Sequence, residues 1–148
     1  MDREILFKAK RIDNGEWVEG YFAKHPKGEC SISVILDKCK NPPDSDPMWQ
    51  KVLISHEVDQ STVCQYTGLT DKNGKKIWEN DVVKWIGKLY RVVFYESICS
   101  YVLVDLTGHW NHMEMNYGDR LECYDYEIIG NIFDNPELLE EVNEHDGE

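Results

Sequence analysis

Two histidines, His109 and His112, stand three residues apart in a polar stretch, a spacing at which two imidazole nitrogens can reach one metal ion. A protein metal site needs further ligands, and only Glu114 and Cys123 are close in sequence and of a suitable type. H-x-x-H alone is a weak signal, because a polar loop commonly carries histidines. We therefore predict no metal site, and a metal-dependent enzyme is only a remote alternative.

The cysteine pattern also gives little support to catalysis. The chain has five cysteines, and no two are spaced C-x-x-C: Cys30, Cys39, Cys64, Cys99 and Cys123. An odd number without paired spacing predicts reduced thiols rather than a disulfide framework or a zinc ribbon. Cys64 and Cys99 fall in predicted strands, so we expect both in or near the core. Phosphate-binding glycine loops and hydrolase signatures are missing from the sequence, which predicts no catalytic residue and no cofactor.

Aromatic residues are the better candidates for binding. Trp110 and Tyr117 lie in a polar, glycine-containing stretch, where a loop would expose their rings. Tyr66 and Trp78 border the most distinctive segment of the chain and complete the set of candidate partner-binding residues. Small barrels present aromatic clusters to peptides or bases, but they also fill their interiors with aromatic rings. Alternation along its predicted strand places Trp85 in the core rather than on the surface.

The charge is strongly negative and unevenly distributed. The formal net charge is -12, and residues 134–148 contribute seven acidic and no basic side chains to it. The rest of the chain is close to neutral, which argues against a nucleic-acid-binding face, because phosphate neutralisation supplies most of that affinity. Nucleic-acid binding is the alternative function, and it requires the basic residues of the second half to form one patch: Lys72, Lys75, Lys76, Lys84, Lys88 and Arg91.

The elements that must position these side chains are mostly strands. Asn14-Gly15 is a strong hairpin signal, and Gly87-Lys88 is predicted to form a second two-residue turn. Asn135 and Pro136 are suited to the cap and first position of a short helix. Runs of β-branched, aromatic and alternating residues predict strands at 5–12, 16–23, 31–36, 49–55, 58–63, 82–86, 89–95, 98–106 and 126–133, the one at 58–63 being a weak strand or a connection.

These elements predict a mainly β fold in three parts. We expect an N-terminal β subdomain at 1–65, a small β-barrel at 66–135, and a short helix with a flexible acidic tail at 136–148. Apolar runs in the sequence fall short of the ~20 residues that span a bilayer, and the N-terminal residues carry no secretory signal. The expected location is therefore the cytoplasm, without membrane contact.

Three segments resemble the YopX family, phage and prophage proteins of unknown function. They are Ile5–Lys10 with Gly15–Tyr21, Gln65–Val83, and Glu127–Leu138. The resemblance implies an SH3-like barrel in the later half and brings no catalytic or ligand residue to carry over. Its structural motif falls on Gly68, Asp71, Asn73, Gly74, Asn80 and Asp81. Family members usually have glycine where this chain has Asn80, and asparagine is the next-best residue for a left-handed backbone.

The resulting hypothesis is a non-enzymatic protein-interaction or accessory factor. Its partner would be a host or phage protein. A homo-oligomer is a further expectation, because small β proteins have edge strands that must be paired or protected.

Overall fold

The computed structural model describes residues 2–37, 51–106 and 125–140. As predicted, this part of the chain is mainly β, with one short helix. The elements in chain order are β1 (Phe7–Lys10), β2 (Trp17–Lys24), β3 (Cys30–Asp37), β4 (Lys51–Glu57), β5 (Cys64–Thr70), β6 (Lys76–Trp78), β7 (Asp81–Trp85), β8 (Lys88–Tyr95), β9 (Ser100–Asp105), β10 (Glu127–Asn131) and α1 (Glu137–Glu140).

The chain divides into two compact units. The first unit is Glu4–Gln65, and the second begins at Tyr66 and also takes in residues 2 and 3. Strand β5 runs from one unit into the other, so its first two residues pair with β1 and its later residues pair with β6.

The first unit is an antiparallel sheet in the order β4-β3-β2-β1, with the start of β5 beyond β1. Its core is apolar and fully enclosed around Ala9 and Ile32. Gly20 is required in β2, because a Cβ there would lie 2.2 Å from the carbonyl oxygen of Ser33. After β1, Arg11 forms an isolated antiparallel bridge with Val58, which follows β4.

The second unit contains a four-stranded antiparallel sheet in the order β10-β7-β8-β9 and the hairpin of β5 with β6. One face of the sheet builds the core, and its buried members are Ile77, Val83, Tyr90, Val92, Tyr101, Leu103 and Tyr126. Trp85 packs against this cluster, as its alternation with Val83 predicted. Within the described ranges no barrel closes, so the SH3-like detail stays a prediction.

Several local expectations were wrong. The turn after β7 is Ile86-Gly87, one residue earlier than predicted, and its effect on Ile86 is described below. Of the two interpretations of residues 58–63, a weak strand or a connection, the structure has the connection, since residues 60–62 form a short 3-10 helix in which the Asp59 side chain caps the Ser61 N–H. Cys64 is buried as expected, but Cys99 is exposed, since it ends a 3-10 turn in a left-handed conformation before β9 starts. No described helix is long and apolar enough to cross a membrane.

Candidate interaction surfaces

Part of the predicted binding set lies outside the described residues. This applies to Trp110 and Tyr117, to the histidine pair His109 and His112, and to the acidic tail from residue 141 onward. Among the residues that the structure does describe, no three His, Cys, Asp or Glu side chains come together as a metal site would require.

Tyr66 and Trp78, the other two predicted partner-binding residues, are neighbours on paired strands. Tyr66 of β5 lies opposite Trp78 of β6, and their ring centroids are 5.5 Å apart. Both side chains are buried. This arrangement gives the pair a packing role, because a partner would reach these rings only after the hairpin rearranged. Partner binding by Tyr66 and Trp78 therefore stays a prediction without an exposed ring to support it.

The turn between β5 and β6 is built around the buried carboxylate of Asp71. Its Oδ1 accepts the backbone N–H groups of Asn73 (2.8 Å) and Lys75 (2.9 Å). Its Oδ2 accepts the N–H of Ile128 in β10, at 3.2 Å. Gly74 completes the turn with φ +78°. One carboxylate therefore holds both the turn and a strand that is distant in sequence.

These donors also set the protonation of Asp71. Burial acts to raise the pKa of the Asp71 carboxyl, but the backbone N–H groups of Lys75, Ile128 and Asn73 more than offset it, so the pKa is lowered. Because its oxygens are occupied by backbone donors, this carboxylate is suited to holding structure and not to exchanging protons with a substrate.

A second turn that is held by side-chain hydrogen bonds precedes β7. Asn80 has φ +69°, the left-handed conformation expected for a residue that replaces glycine. Its Oδ1 accepts from Nη2 of Arg91 at 2.8 Å, and its backbone N–H donates to Val92 at 2.8 Å. The buried Asp81 accepts the backbone N–H of Trp78, also at 2.8 Å. Gly68, with φ +87°, lies where the register of β5 and β6 shifts.

Glu79, the neighbour of Asn80, is a half-buried carboxyl with the opposite shift. Burial raises its pKa, and the nearby positive charge of Arg91 offsets only part of that effect. Arg91 therefore serves two groups of this turn, since it donates to the Asn80 side chain and stabilises the Glu79 carboxylate electrostatically.

Two members of the predicted basic patch are thus engaged within the second unit. Arg91 is bound to Asn80, and the ammonium group of Lys72 lies 2.9 Å from a carboxylate oxygen of Glu127. That carboxylate raises the pKa of Lys72. The ion pair offsets the charge of Lys72, and the bonds to Asn80 occupy N–H donors of Arg91, which weakens the case for the patch.

The turn between β7 and β8 differs from the turns at Asp71 and Asn80, which are held by side-chain hydrogen bonds. Ile86 has φ +45° and Gly87 φ +74°, so both central residues are left-handed, as in a type I′ hairpin. A β-branched residue rarely adopts positive φ, because its side chain clashes with its own backbone. Ile86 is also 78% exposed, more than any other large apolar side chain of the described residues.

The side chains beside Ile86 are basic and exposed. Lys84 and Lys88 lie within two residues of it, and both project into solvent. Trp85 turns inward, where its ring lies 6.2 Å from Tyr90 and 6.0 Å from Tyr126. The tip therefore presents one apolar side chain between two positive charges on a hairpin whose base is fixed in the core.

A second exposed apolar surface lies on β2, β3 and β4 of the first unit. Tyr21, Ile35 and Leu53 share one face, because the register aligns Tyr21 with Ser33 and Ile35 with Leu53. Leu36 and Ile54 extend the opposite face beyond the core. Leu53 is the most exposed of the five, at 61%. The outer end of the β3–β4 pair is therefore apolar on both sides.

Sequence reasoning missed Ile86 as a surface residue. The run Val82–Ile86 has the composition of a strand, so Ile86 was assigned to it and the turn was placed one residue later. The signal that was available is the Ile-Gly pair between two strand-like runs. A two-residue hairpin loop with glycine second fits a type I′ turn and would put Ile86 at the first left-handed position.

Comparison with known proteins identifies the family. The family model described as YopX protein matches residues 7–140. This chain belongs to the YopX family. The match confirms the resemblance drawn from the three sequence segments and covers both units of this YopX-family chain. Among curated proteins, none matches it. The crystal structure of protein EF1440 from Enterococcus faecalis is similar to it, with 20% sequence identity over 92% of this chain and 98% of that chain and a TM-score of 0.46.

Proposed function

We propose that this YopX-family chain is a non-enzymatic interaction protein, a phage or prophage accessory factor that binds a host or phage protein in the bacterial cytoplasm. The observation that carries the proposal is Ile86, a strained and exposed apolar residue at the tip of the β7–β8 hairpin. The family resemblance supports the phage setting.

Two separate costs meet at Ile86. Holding a non-glycine residue in the left-handed region costs of the order of 1 kcal/mol or more, and asparagine at this turn position would relieve most of it. Leaving the side chain in water also forgoes roughly 1.5–3 kcal/mol that burial of an isoleucine provides. Local rules that are broken without compensation in the fold are expected at functional positions. Burial of Ile86 on a partner supplies the missing compensation.

The neighbouring charges define the partner. Lys84 and Lys88 flank the exposed side chain, so the matching surface is an apolar pocket with acidic groups at its rim. The Asp71 carboxylate is occupied by three backbone N–H donors, which supports an interaction protein better than an acid–base role for this residue.

The test is capture of partners by the tagged full-length chain from a lysate of phage-infected host cells, with and without nuclease, read by mass spectrometry. Ile86→Asn removes the apolar anchor and relieves the turn, so it should fold at least as well as the unsubstituted chain. Its matched control is Ile98→Asn, which removes another exposed isoleucine of the same unit from a position without positive φ.

The proposal predicts a nuclease-resistant protein that is recovered with the unsubstituted chain and with Ile98→Asn, and is reduced at least about tenfold with Ile86→Asn. Equal recovery with all three chains would remove Ile86 from the interface and contradict the proposal. Recovery of nucleic acid that disappears with nuclease and falls steeply with salt would favour the alternative, a nucleic-acid-associated protein.

A further inference from the structure

The free edge of β4 points to a partner other than the one that Ile86 would bind. Strand β4 is the outermost strand of the order β4-β3-β2-β1, and no described strand pairs with it on the side away from β3. It has no proline, and its register with β3 is regular over Lys51–Glu57. An edge of this kind is a template for another strand unless it is protected.

The hydrogen bonds beside β4 show which backbone groups face outward. The N–H of Val58 donates to Cys30, which precedes the paired part of β3, so Val58 points toward β3. The carbonyl of Glu57 accepts from Ile12 on the other side, at 3.1 Å. Because orientation alternates along a strand, Leu53 and Ser55 point away from β3, like Glu57.

The contact between Ile12 and Glu57 also limits the free edge. Ile12 already occupies the outward position beside Glu57, so an incoming strand can pair only with the part of β4 that precedes it, residues 51–55. Two copies in antiparallel orientation can pair along the whole of this free segment when Leu53 lies opposite Leu53 of the other copy. In that register residue 51 lies opposite residue 55, and every bonded residue has its N–H and C=O directed outward.

The charges of β4 favour the same antiparallel arrangement. The strand begins with a lysine at position 51 and ends with Glu57, and the residues between them carry no formal charge. Antiparallel pairing about Leu53 puts position 51 of one copy diagonal to Glu57 of the other, so the sequence places a lysine and a glutamate at neighbouring register positions. Parallel pairing would instead bring like charges together.

The side chains next to the edge are apolar on both faces. Leu53 of one copy would lie opposite Leu53 of the other on one face, and Ile54 would lie beside the same seam on the other face. Pairing of the edges would shield the flanks of these two exposed side chains, whereas Ile35 and Leu36, one strand further from the seam, would stay exposed.

We propose that this chain forms a two-fold symmetric homodimer in which the β4 strands of two copies pair in antiparallel orientation about Leu53. The two sheets then join into one continuous sheet, and the interface is isologous, because each residue of one copy meets its register partner of the other. This assembly is separate from the contact proposed for Ile86, and either can fail without the other.

The first test is sedimentation velocity of the full-length chain over the micromolar range. We expect a dimer for the unsubstituted chain. Ser55→Pro removes an outward N–H donor and leaves the bonds to β3 intact, so it should raise the dissociation constant at least about tenfold. Ser55→Ala, which loses the 2.7 Å hydroxyl contact with Ser33 but keeps the N–H, is the matched control and should remain dimeric.

The second test fixes the register. Directly opposed residues of a hydrogen-bonded antiparallel pair have Cα atoms about 5.5 Å apart, which a disulfide can bridge. Leu53→Cys should therefore give a covalent dimer under copper-phenanthroline oxidation in air, whereas two Ser55→Cys positions would lie roughly 14 Å apart and should not crosslink. The unsubstituted chain with its five cysteines gives the background.

Three outcomes would overturn the proposal. They are a monomer at every concentration, a dimer that Ser55→Pro leaves unchanged, and crosslinking at position 55 in place of 53. Loss of the partner captured through Ile86 would not affect these measurements, and a monomeric chain that still captures that partner would leave the proposed function standing.

Discussion

The two ends of β7 solve the same backbone problem in different ways. Each end has a non-glycine residue with positive φ, Asn80 before the strand and Ile86 after it. Asn80 is held by Arg91, Val92 and Ile132 through side-chain and backbone hydrogen bonds. Ile86 is β-branched and exposed, with no burial to offset the strain. Strain at Asn80 is therefore explained by the fold, whereas strain at Ile86 requires a cause outside it.

The largest expected effect is at Asp71, which anchors the other built turn. Asp71→Ala leaves the N–H groups of Asn73, Lys75 and Ile128 without their acceptor, so we expect a loss of about 3 kcal/mol in the free energy of unfolding. Urea unfolding followed by tryptophan fluorescence measures this. Ser61→Ala, which removes an exposed hydroxyl that donates to the cap residue Asp59, serves as a control for an ordinary turn, and an equal loss there would contradict the special role of Asp71.

The second largest loss of stability is expected at Asn80, before β7. Asn80→Ala keeps φ positive, removes the tolerant asparagine side chain and breaks the bonds from Arg91, so it should cost about 2 kcal/mol. Asn80→Gly loses only the Arg91 contact and should cost less than Asn80→Ala. If both variants lose the same stability, strain does not contribute at this end and the comparison fails.

At the Ile86 end of β7 a substitution should raise the stability of the chain instead of lowering it. Ile86→Asn fits the first position of a type I′ turn and should raise the free energy of unfolding by about 1 kcal/mol. The melting temperatures of Ile86→Asn and Ile86→Gly should both lie above that of the unsubstituted chain. A destabilised Ile86→Asn would show that the isoleucine already serves the fold, and the argument for a partner would lose its basis.

The smallest effect concerns pH. The pKa of Asp71 is lowered in the folded chain relative to its ordinary value of 3.8. Its stabilising contribution is therefore fully present above that value and is lost as the pH falls below it through the folded pKa. The stability advantage of the unsubstituted chain over Asp71→Asn should shrink on acidification into this range. An advantage that is constant with pH would show that the charge of Asp71 has no part in the turn.

Sequence reasoning identified most of the strands and the turns that contain Asp71 and Asn80, but it misplaced the turn that contains Ile86. Alternation and β-branching predicted β3, β8 and the inward placement of Trp85, because burial on one face imposes a period of two. The left-handed Asn80 followed from replacing glycine. Strands β5 and β6 were both missed, because β5 contains Gly68 within a polar stretch and β6 has only three residues, too few to show a period.

The candidate surfaces were less accessible to prediction for a physical reason. Exposure of Ile86 depends on where a turn begins, and a shift of one residue moves a side chain between the strand and the tip. The apolar surface near Leu53 depends on which strand is outermost, which is a property of sheet order and not of local sequence. Tyr66 and Trp78 were chosen for their type, and the structure buries both because they lie opposite each other.

The bond between Asp71 and Ile128 has a consequence for folding kinetics. Its two residues are 57 positions apart, and β10 pairs with β7 rather than with β9, its neighbour in chain order. Closing so long a loop is slow and comes after the local hairpin of β7 and β8. The Asp71 carboxylate then acts mainly after the rate-limiting step, so its removal should speed unfolding much more than it slows folding. The second unit would thus owe much of its lifetime in the folded state to a single carboxylate.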